Sequence, residues 1–291
     1  MKLATFTEAH RRRIGVVVED AVVDFAAAAP HLPQTMIAFL RGGAEGMAEA
    51  RRAVESGRHR IPLANVRLEA PVPRPGKALA IGLNYTDHIK EGGRAAPEHQ
   101  TWFAKQATCI VGPNDAIQIP KVSDKVDYEA ELVVVIGRRC RHVPRERALE
   151  VIAGYTCGND VSVRDWQART PTLMMGKGFD THGPTGPWIV TTDEIPNVQS
   201  LRVRCLLNGT VMQDASTAEM IFDVASQIEH LTTAFTLEPG DLIFTGTPAG
   251  VGNWRNPPVR LKAGDRVRVD IERIGAIENL CAAEDGGTVI L

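Results

Sequence analysis

Six short apolar segments between residues 77 and 272 limit the folds open to this chain. They read KALAIGL, ELVVVIG, PWIVT, LRVRCLLNG, DLIFTG and RVRVDIE, and Gly, Pro, Asn or Asp bounds each one. Short β-branched or alternating runs between turn residues are typical of strands. Gly (26 residues) and Pro (18) are frequent, whereas aromatic residues make up only 5% of the chain. The pattern therefore favours many short strands and turns over a helical bundle.

One long helix is predicted among these strands, over residues 216–237. Ser216 and Glu219 have the spacing of a capping box, apolar residues then follow a 3.6-residue period, and Pro239-Gly240 ends the pattern. Strands with one long helix predict a β-rich α+β domain.

The first 70 residues are predicted to form a small N-terminal α+β module. Its apolar stretches KLATF, RIGVVVED and AVVDF are separated by polar turns, as in a short antiparallel meander. A helical pattern over residues 34–56 follows, and Gly42 and Gly43 are expected to break it in two. The segment APVPRPGK holds three prolines and a glycine, so we place a boundary there between residues 1–70 and a larger domain, 71–291.

Composition narrows the classes of partner. Lys and Arg number 33 against 35 for Asp and Glu, a net charge of -2, which argues against nucleic acid. The longest apolar runs fall far short of the roughly 20 residues that cross a bilayer, so no membrane partner is expected. The opening segment MKLATFTEAHRRR has no apolar signal stretch, and we expect a cytoplasmic protein. The five cysteines are scattered without a CxxC pair, which favours reduced thiols over disulfides or a zinc site.

Two carboxylates stand at the entry of an apolar strand, in VDYEAELVVVIG. Glu129 and Glu131 project from one face because side chains alternate along a strand. Like charges leading into a buried strand need a cation or protons, unless this end is exposed and both glutamates are solvated. Asp160 follows Gly158-Asn159 and is either a third acidic ligand or a turn or helix cap. Three carboxylates without His or Cys would suit Mg²⁺ or Mn²⁺.

A histidine and a glutamate lie three residues apart in GLNYTDHIKEGG. If the segment is helical, His88 and Glu91 share a face, and the carboxylate would raise the basicity of the imidazole so that it could act as a general base. The alternative is an ordinary surface pair. Gly92-Gly93 indicates a loop that could close over a substrate.

Two glycine-dense segments add candidate anion-binding groups. Lys177 lies between glycines in MGKGFDTHGP, where its ammonium could reach an anionic substrate, although the spacing does not fit a phosphate loop. The segment TGTPAGVG, which contains Gly246 and Thr247, offers hydroxyls and backbone N–H groups to a carboxylate. Tight β-turns are the alternative for both.

Taken in order, these segments resemble the fumarylacetoacetate hydrolase family over about residues 77–279. The resemblance is carried by GLNYTDHIKE, DYEAELVVVIG, GYTCGNDVSVRDWQ, GKGFDTHGPTGPWIV, LEPGDLIFTGTPAGVG and LKAGDRV. It implies a mixed β-roll domain behind a small N-terminal module, and a homodimer. Within the family, the sequence is most similar to the acylpyruvate hydrolase and 2-hydroxyhepta-2,4-diene-1,7-dioate isomerase-like branch.

The resemblance also implies roles for individual residues. Mg²⁺ or Mn²⁺ would be bound by Glu129, Glu131 and Asp160. His88 and Glu91 would activate water as a dyad. The remaining assignments are an oxyanion site and a substrate site: Lys177 and Gln167 for the oxyanion, Thr247 and Gly246 for the substrate carboxylate, and Lys105 near the metal.

These roles suit a metal-dependent hydrolase that cleaves a C–C bond in a 2,4-dioxo acid of the acylpyruvate or fumarylpyruvate type. The metal would act as a Lewis acid toward the oxo-acid end of the substrate. The alternatives are decarboxylation of oxaloacetate, isomerisation of a 2-hydroxy-dienedioate, and ureidoglycolate cleavage. Leu83 stands where many decarboxylating relatives have arginine, which favours a larger substrate tail over decarboxylation.

Overall fold

The computed structural model describes residues 1–93 and 95–290. Its N-terminal part consists of five strands and three helices. These elements are β1 (Lys2–Glu8), β2 (Arg11–Val18), β3 (Ala21–Asp24), α1 (Phe25–Ala28), α2 (Met36–Arg41), α3 (Gly43–Glu55), β4 (Arg60–Pro62) and β5 (Arg67–Leu68). The helical pattern is interrupted at Gly42 and Gly43, as predicted.

The rest of the chain is dominated by short strands. The strands are β6 (Ala78–Gly82), β7 (Thr101–Lys105), β8 (Ile110–Val111), β9 (Ile117–Ile119), β10 (Val126–Asp127), β11 (Ala130–Ile136), β12 (Ile152–Asn159), β13 (Ser162–Val163), β14 (Gly183–Thr191), β15 (Arg202–Leu207), β16 (Thr210–Ser216), β17 (Leu242–Phe244), β18 (Arg266–Ile271) and β19 (Gly275–Ala283). The helices are α4 (Thr86–Glu91), α5 (Arg164–Gln167), α6 (Met174–Lys177) and α7 (Val224–Ala234). The longer 3₁₀ segment is Arg145–Val151, and short 3₁₀ turns are Leu63–Asn65, Ala107–Cys109, Thr192–Glu194, Val198–Ser200, Thr217–Glu219 and Gly252–Trp254.

Within the described residues the strands form three sheets. The 12-stranded sheet follows the order β4-β3-β2-β1-β14-β12-β11-β17-β6-β7, with β5 beside β1 and β8 beside β14. A 5-stranded sheet has the order β16-β15-β18-β19-β9, and β10 pairs with β13. Most pairs are antiparallel, but β17–β6, β8–β14 and β19–β9 are parallel. The sheets are therefore mixed, and the predicted β-rich α+β class is confirmed.

Strand β11 lies at the centre of the large sheet and is buried along its whole length. Leu132 and Val134 pack into a core shared with the 5-stranded sheet. Val133 and Val135 pack on the opposite face, in a core that includes residues of α2 and α3. A strand covered on both faces has a nearly continuous apolar sequence, which explains the run LVVVI.

The N-terminal strands continue the large sheet. Strand β1 pairs with β14, with Lys2 opposite Val190 and Leu3 opposite Ile189. Ala70 and Val72 in the proline-rich segment are buried, so that segment packs against the protein. The boundary at residue 70 stays a prediction.

The helix predicted over residues 216–237 is wrong at both ends. The capping box is present, but it opens only the 3₁₀ turn Thr217–Glu219, and α7 starts at Val224. The Ile221 and Phe222 N–H groups donate to the Asn84 backbone and side chain at 2.8 Å, and this pairing replaces helical hydrogen bonds. At the other end, Leu237 pairs with Cys140.

All five cysteines are free, as predicted. In the described part of the chain, no helix is both long enough and apolar enough to cross a membrane.

Candidate active site

The antiparallel register of β11 and β12 brings the predicted acidic residues together. Ala130 pairs with Asn159, so Glu129 and Asp160 meet just beyond the paired ends of the two strands. The Asp160 N–H donates to the Glu129 carbonyl at 2.9 Å, and the Glu129 N–H donates to the Asn159 side chain at 3.0 Å. Glu131 lies two residues along β11 on the same face as Glu129.

The three carboxylates form one buried cluster. Glu129, Glu131 and Asp160 each offer an oxygen, and these oxygens lie within 4.8 Å of one another. The three residues are 4%, 1% and 1% exposed, respectively. The alternative that both glutamates are solvated is therefore wrong. Asp160 also caps no helix, since its two oxygens accept hydrogen bonds from lysines.

Three cations surround part of this cluster. Lys177 Nζ lies 2.6 Å from Glu129 Oε2 and 2.7 Å from Asp160 Oδ2. Lys105 Nζ lies 2.6 Å from the other Asp160 oxygen. Arg164 contacts Glu129 Oε1 at 2.7 Å. Glu129 and Asp160 are thus compensated by charged side chains.

Glu131 has a different environment. Its Oε2 accepts a 2.8 Å hydrogen bond from the Gly246 N–H, and no lysine or arginine of the described residues forms an ion pair with it. Burial, together with Asp160 and Glu129, raises the pKa of Glu131 well above its usual value. Burial opposes ionisation of Glu129 too, but Lys177 and Arg164 lower its pKa to about 2.

This donor set fits a hard divalent cation. The cluster supplies only carboxylate oxygens, which Mg²⁺ and Mn²⁺ accept, and it contains one buried carboxylate without a cationic partner among the described residues. A cation beside Glu131 would offset the burial and the repulsion from Asp160 and Glu129 that raise its pKa. The residues that could hold the ion are Glu129, Glu131 and Asp160.

The cluster opens into a cavity of about 740 Å³. Its walls include six of the predicted site residues: His88, Glu129, Glu131, Gln167, Lys177 and Thr247. The base candidate and two of the three carboxylates therefore face one space.

His88 and Glu91 lie on α4, as the spacing predicted. His88 Nδ1 is 3.7 Å from Glu91 Oε2, a charge contact that is too long for a direct hydrogen bond. The Gly250 N–H donates to the Glu91 carboxylate at 3.0 and 3.2 Å. Burial opposes ionisation of Glu91, but His88 and the Gly250 N–H outweigh it and lower the pKa of Glu91. The carboxylate is thus held in its charged form beside the imidazole.

Trp254 packs against the imidazole. The His88 and Trp254 ring centroids are 4.6 Å apart with planes tilted by 33°. Gly92, at the end of α4, lies directly under the indole, and a Cβ there would be 2.5 Å from it. No pattern in the sequence pointed to Trp254.

The four remaining predicted residues lie either at the cavity wall or against the carboxylates. Gln167 Oε1 accepts a 3.0 Å hydrogen bond from Arg164 at the cavity wall. The Thr247 hydroxyl donates to the Ala130 carbonyl at 3.0 Å. The Gly246 N–H is directed to Glu131, and Lys105 is buried behind Asp160. The geometry thus places the Gly246 N–H against Glu131, whereas the sequence suggested contact with substrate, and it places Lys105 beside Asp160, one of the predicted metal ligands.

Sequence reasoning also missed two charged residues that organise the site. Asp127 is completely buried and accepts hydrogen bonds from the Gly252 and Asn253 N–H groups at 2.8 and 2.9 Å. Arg164 contacts both Asp127 and Glu129 at 2.7 Å and so links them. Their only sequence signal was their presence in the DYEAE and VRDWQ segments, where neither had a periodic or chemical pattern of its own.

Comparison with known proteins agrees with this geometry. The family model for the fumarylacetoacetate (FAA) hydrolase C-terminal domain matches residues 77–281. The chain belongs to the fumarylacetoacetate hydrolase family. A member from Xenopus laevis named oxaloacetate tautomerase fahd2, mitochondrial, is 41% identical over 285 residues, which cover 96% of this chain and 89% of that protein.

Solved structures of this family include both hydrolases and isomerases. Maleylpyruvate hydrolase from a Sphingobium species, in complex with manganese(II) and pyruvate, superposes with a TM-score of 0.83 at 34% identity, covering 98% of this chain and 100% of that one. The 2-hydroxyhepta-2,4-diene-1,7-dioate isomerase from Mycobacterium marinum gives a TM-score of 0.79 at 33% identity, with the same coverage. The fold is therefore that of the fumarylacetoacetate hydrolase C-terminal domain.

Proposed function

We propose that this chain is a divalent-metal-dependent enzyme that interconverts the keto and enol forms of a 2-oxo acid of the oxaloacetate type. One observation carries the proposal: His88, backed by Glu91, lines the same cavity as Glu129 and Glu131 of the acidic cluster. A 2-oxo acid held at the cluster would present its acidic C–H to an imidazole. The name of the relative from Xenopus laevis supports this choice.

We propose Glu129, Glu131 and Asp160 as the ligands of Mg²⁺ or Mn²⁺. The bound ion would supply a Lewis acid for the carboxylate and 2-oxo oxygens of the substrate. The manganese(II) in the maleylpyruvate hydrolase structure supports a metal of this kind. Lys105 holds one oxygen of Asp160 and donates to the Lys177 carbonyl, and so positions both residues.

His88 would carry the proton. In the keto-to-enol direction, the imidazole takes a proton from the carbon next to the 2-oxo group, and the electron pair of that C–H bond moves toward the oxo oxygen. Glu91 stabilises the imidazolium, because its carboxylate is kept ionised by the Gly250 N–H. The proton then returns to the oxygen, so no atom is gained or lost overall.

Lys177 and Gln167 would stabilise the developing negative charge. Two of the three Lys177 donors bind Glu129 and Asp160, which leaves one for an oxyanion. Gln167 accepts from Arg164 through Oε1, so its amide nitrogen remains to donate into the cavity.

The predicted C–C hydrolase is the second candidate. The cavity of about 740 Å³ is larger than a four-carbon acid needs, and Leu83 adds an apolar wall. The same dyad would then deprotonate water, which attacks the distal carbonyl of a 2,4-dioxo acid. The maleylpyruvate hydrolase neighbour supports this second candidate.

The two reactions can be separated with metal-loaded protein. Enol oxaloacetate is added, and loss of its ultraviolet absorbance is followed beside pyruvate release. Faster loss of enol without pyruvate supports the tautomerase, and no acceleration over buffer overturns it. Incorporation of ¹⁸O from labelled water into products of an acylpyruvate would favour the hydrolase. Pyruvate from oxaloacetate, or urea from ureidoglycolate, would instead identify the decarboxylase or the lyase.

We also propose that the protein is a homodimer, as the family resemblance implied. The location of the protein stays a prediction, because the Xenopus laevis relative carries the word mitochondrial in its name whereas the opening segment of this chain suggested the cytoplasm. Sedimentation of the purified protein and imaging of a tagged chain would test these two expectations.

A further inference from the structure

We propose that Arg260 binds a second, distal carboxylate of the substrate, so that the preferred substrates are 2-oxo dicarboxylic acids. The inference rests on the proposed function, because it adds a specificity group to the same cavity. The evidence does not come from the metal cluster. It consists of the location of Arg260 in the cavity, its positive charge and its hydrogen-bond partners.

Arg260 lines the active-site cavity together with Lys125 and Asn253. The guanidinium donates to the Asn253 side chain at 2.8 Å and to the neighbouring Val259 carbonyl at 3.4 Å. Neither acceptor carries a charge. Among the residues that the structure describes, no carboxylate forms an ion pair with Arg260.

The other cations of this cavity are already matched with carboxylates. Arg164 contacts Asp127 and Glu129, and Lys177 contacts Glu129. Lys125 lies 3.3 Å from its neighbour Asp124 and is half exposed. Arg260 is therefore the cavity cation whose charge has no carboxylate partner in the described structure.

The backbone holds Arg260 in this position. The Val259 N–H donates to the Gly252 carbonyl and the Leu261 N–H donates to the Val126 carbonyl, both at 2.9 Å. Leu261 is 1% exposed and packs into the main core. Val259 on the other side also packs against that core, whereas Arg260 between them lines the cavity.

The guanidinium group of Arg260 indicates which chemical group it would bind. Its planar fork of N–H donors matches a carboxylate, and a half-buried setting strengthens the contact relative to a fully exposed one. The oxo-acid end of a substrate would bind at the acidic cluster by way of the metal. Lys177 is already paired with Glu129 and Asp160 there. A negative charge at the other end of the substrate would thus find Arg260 in the same cavity.

Binding of matched acid pairs tests this assignment without depending on turnover. The Mn²⁺-loaded protein is titrated with 2-oxoglutarate and 2-oxopentanoate, and with 2-oxoadipate and 2-oxohexanoate, by calorimetry. Within each pair, only the distal group differs, a carboxylate against a methyl. The wild-type protein should bind the diacid about tenfold more tightly in at least one pair, as expected for a charge-assisted Arg–carboxylate contact.

Arg260→Met should bring that ratio close to one while leaving the monoacid affinity nearly unchanged. Arg260→Lys, which keeps the charge, should retain most of the preference. Arg147→Met, at an exposed arginine paired with Glu150, is the matched control and should change neither affinity. Circular dichroism confirms that each variant is folded.

A wild-type protein with no preference in either pair, or an Arg260→Met variant that keeps the full preference, overturns the inference. Failure of the proposed function is a separate result. If oxaloacetate and acylpyruvates are not turned over, the catalytic proposal is wrong, while the affinity ratios still report on Arg260.

Discussion

Glu131 Oε2 accepts a 2.8 Å hydrogen bond from the Gly246 N–H, but this buried carboxylate has no lysine or arginine partner in the described part of the chain. Its neighbours Glu129 and Asp160 both contact Lys177. The negative charges of Glu129 and Asp160 are thus balanced by a cation, whereas the negative charge of Glu131 is not. Glu131 is the group that a proton or a cation must neutralise.

We predict that stabilisation by Mn²⁺ increases with pH. The raised pKa of Glu131 means that, without metal, the folded state keeps a proton that the unfolded chain releases. The free energy of unfolding is then highest below the unfolded-state pKa and falls as pH rises through the raised value. A divalent cation replaces that proton, so the gain in melting temperature on adding Mn²⁺ should be larger at about pH 8 than at about pH 5.

Glu131→Gln is the control for this prediction. The amide is neutral at every pH, so the metal-free variant should lose the component of pH dependence that comes from Glu131, and Mn²⁺ should stabilise it much less. An unchanged response of the variant to Mn²⁺ would contradict the role of Glu131.

Lys105→Met should lower the free energy of unfolding by about 3 kcal/mol, because it removes one cation from a buried carboxylate. The Lys105 Nζ is completely buried, 2.6 Å from Asp160. Lys90→Met, at an exposed pair with Asp87, should change stability by only about 0.5 kcal/mol. Urea unfolding of both variants provides the measurement, and equal effects would argue against a structural role for the buried pair.

His88→Gln should reduce kcat by about a hundredfold to ten-thousandfold, since it removes the proposed base. Glu91→Gln should cause a smaller loss, because the imidazole stays and loses only its charged partner. Asp87→Asn lies on the same helix with its side chain exposed and should leave kcat unchanged. A His88→Gln variant with wild-type turnover would remove this residue from the mechanism.

Much of the site could be predicted from the sequence because its geometry is local. The two-residue period of a strand places Glu129 and Glu131 on one face, and the helical spacing pairs His88 with Glu91. The Asp160 contact depends on one antiparallel pairing between sequential strands, a common arrangement.

The parts that were missed depend on distant contacts. The expected helix is interrupted because residues 221 and 222 donate to Asn84, more than a hundred positions away in the chain. Asp127 and Arg260 gain their roles only when the loop at 252–254 packs against β10. No period or spacing carries that information.

Gly92→Ala should lower kcat although it alters no catalytic group. Gly92 has a φ of -78°, which any residue adopts, so the backbone is not strained. The new Cβ would lie 2.5 to 2.9 Å from three atoms of the Trp254 ring, and the centroid of that ring is 4.6 Å from the centroid of the His88 ring. Displacement of His88 by a fraction of an ångström should cost up to about a hundredfold in kcat, because proton transfer depends on alignment.

A second substitution distinguishes this steric cause from loss of stability. All three contacted atoms belong to the six-membered ring of the indole, so Trp254→Phe should make room and restore part of the activity of Gly92→Ala. Gly93 has a φ of 62°, and a Cβ added there would meet no other part of the described chain within 4 Å. Because Asn tolerates that left-handed conformation, Gly93→Asn should be neutral. If Gly92→Ala keeps full activity, Trp254 does not position His88. If Trp254→Phe fails to rescue a defective Gly92→Ala, the loss has another cause than the clash.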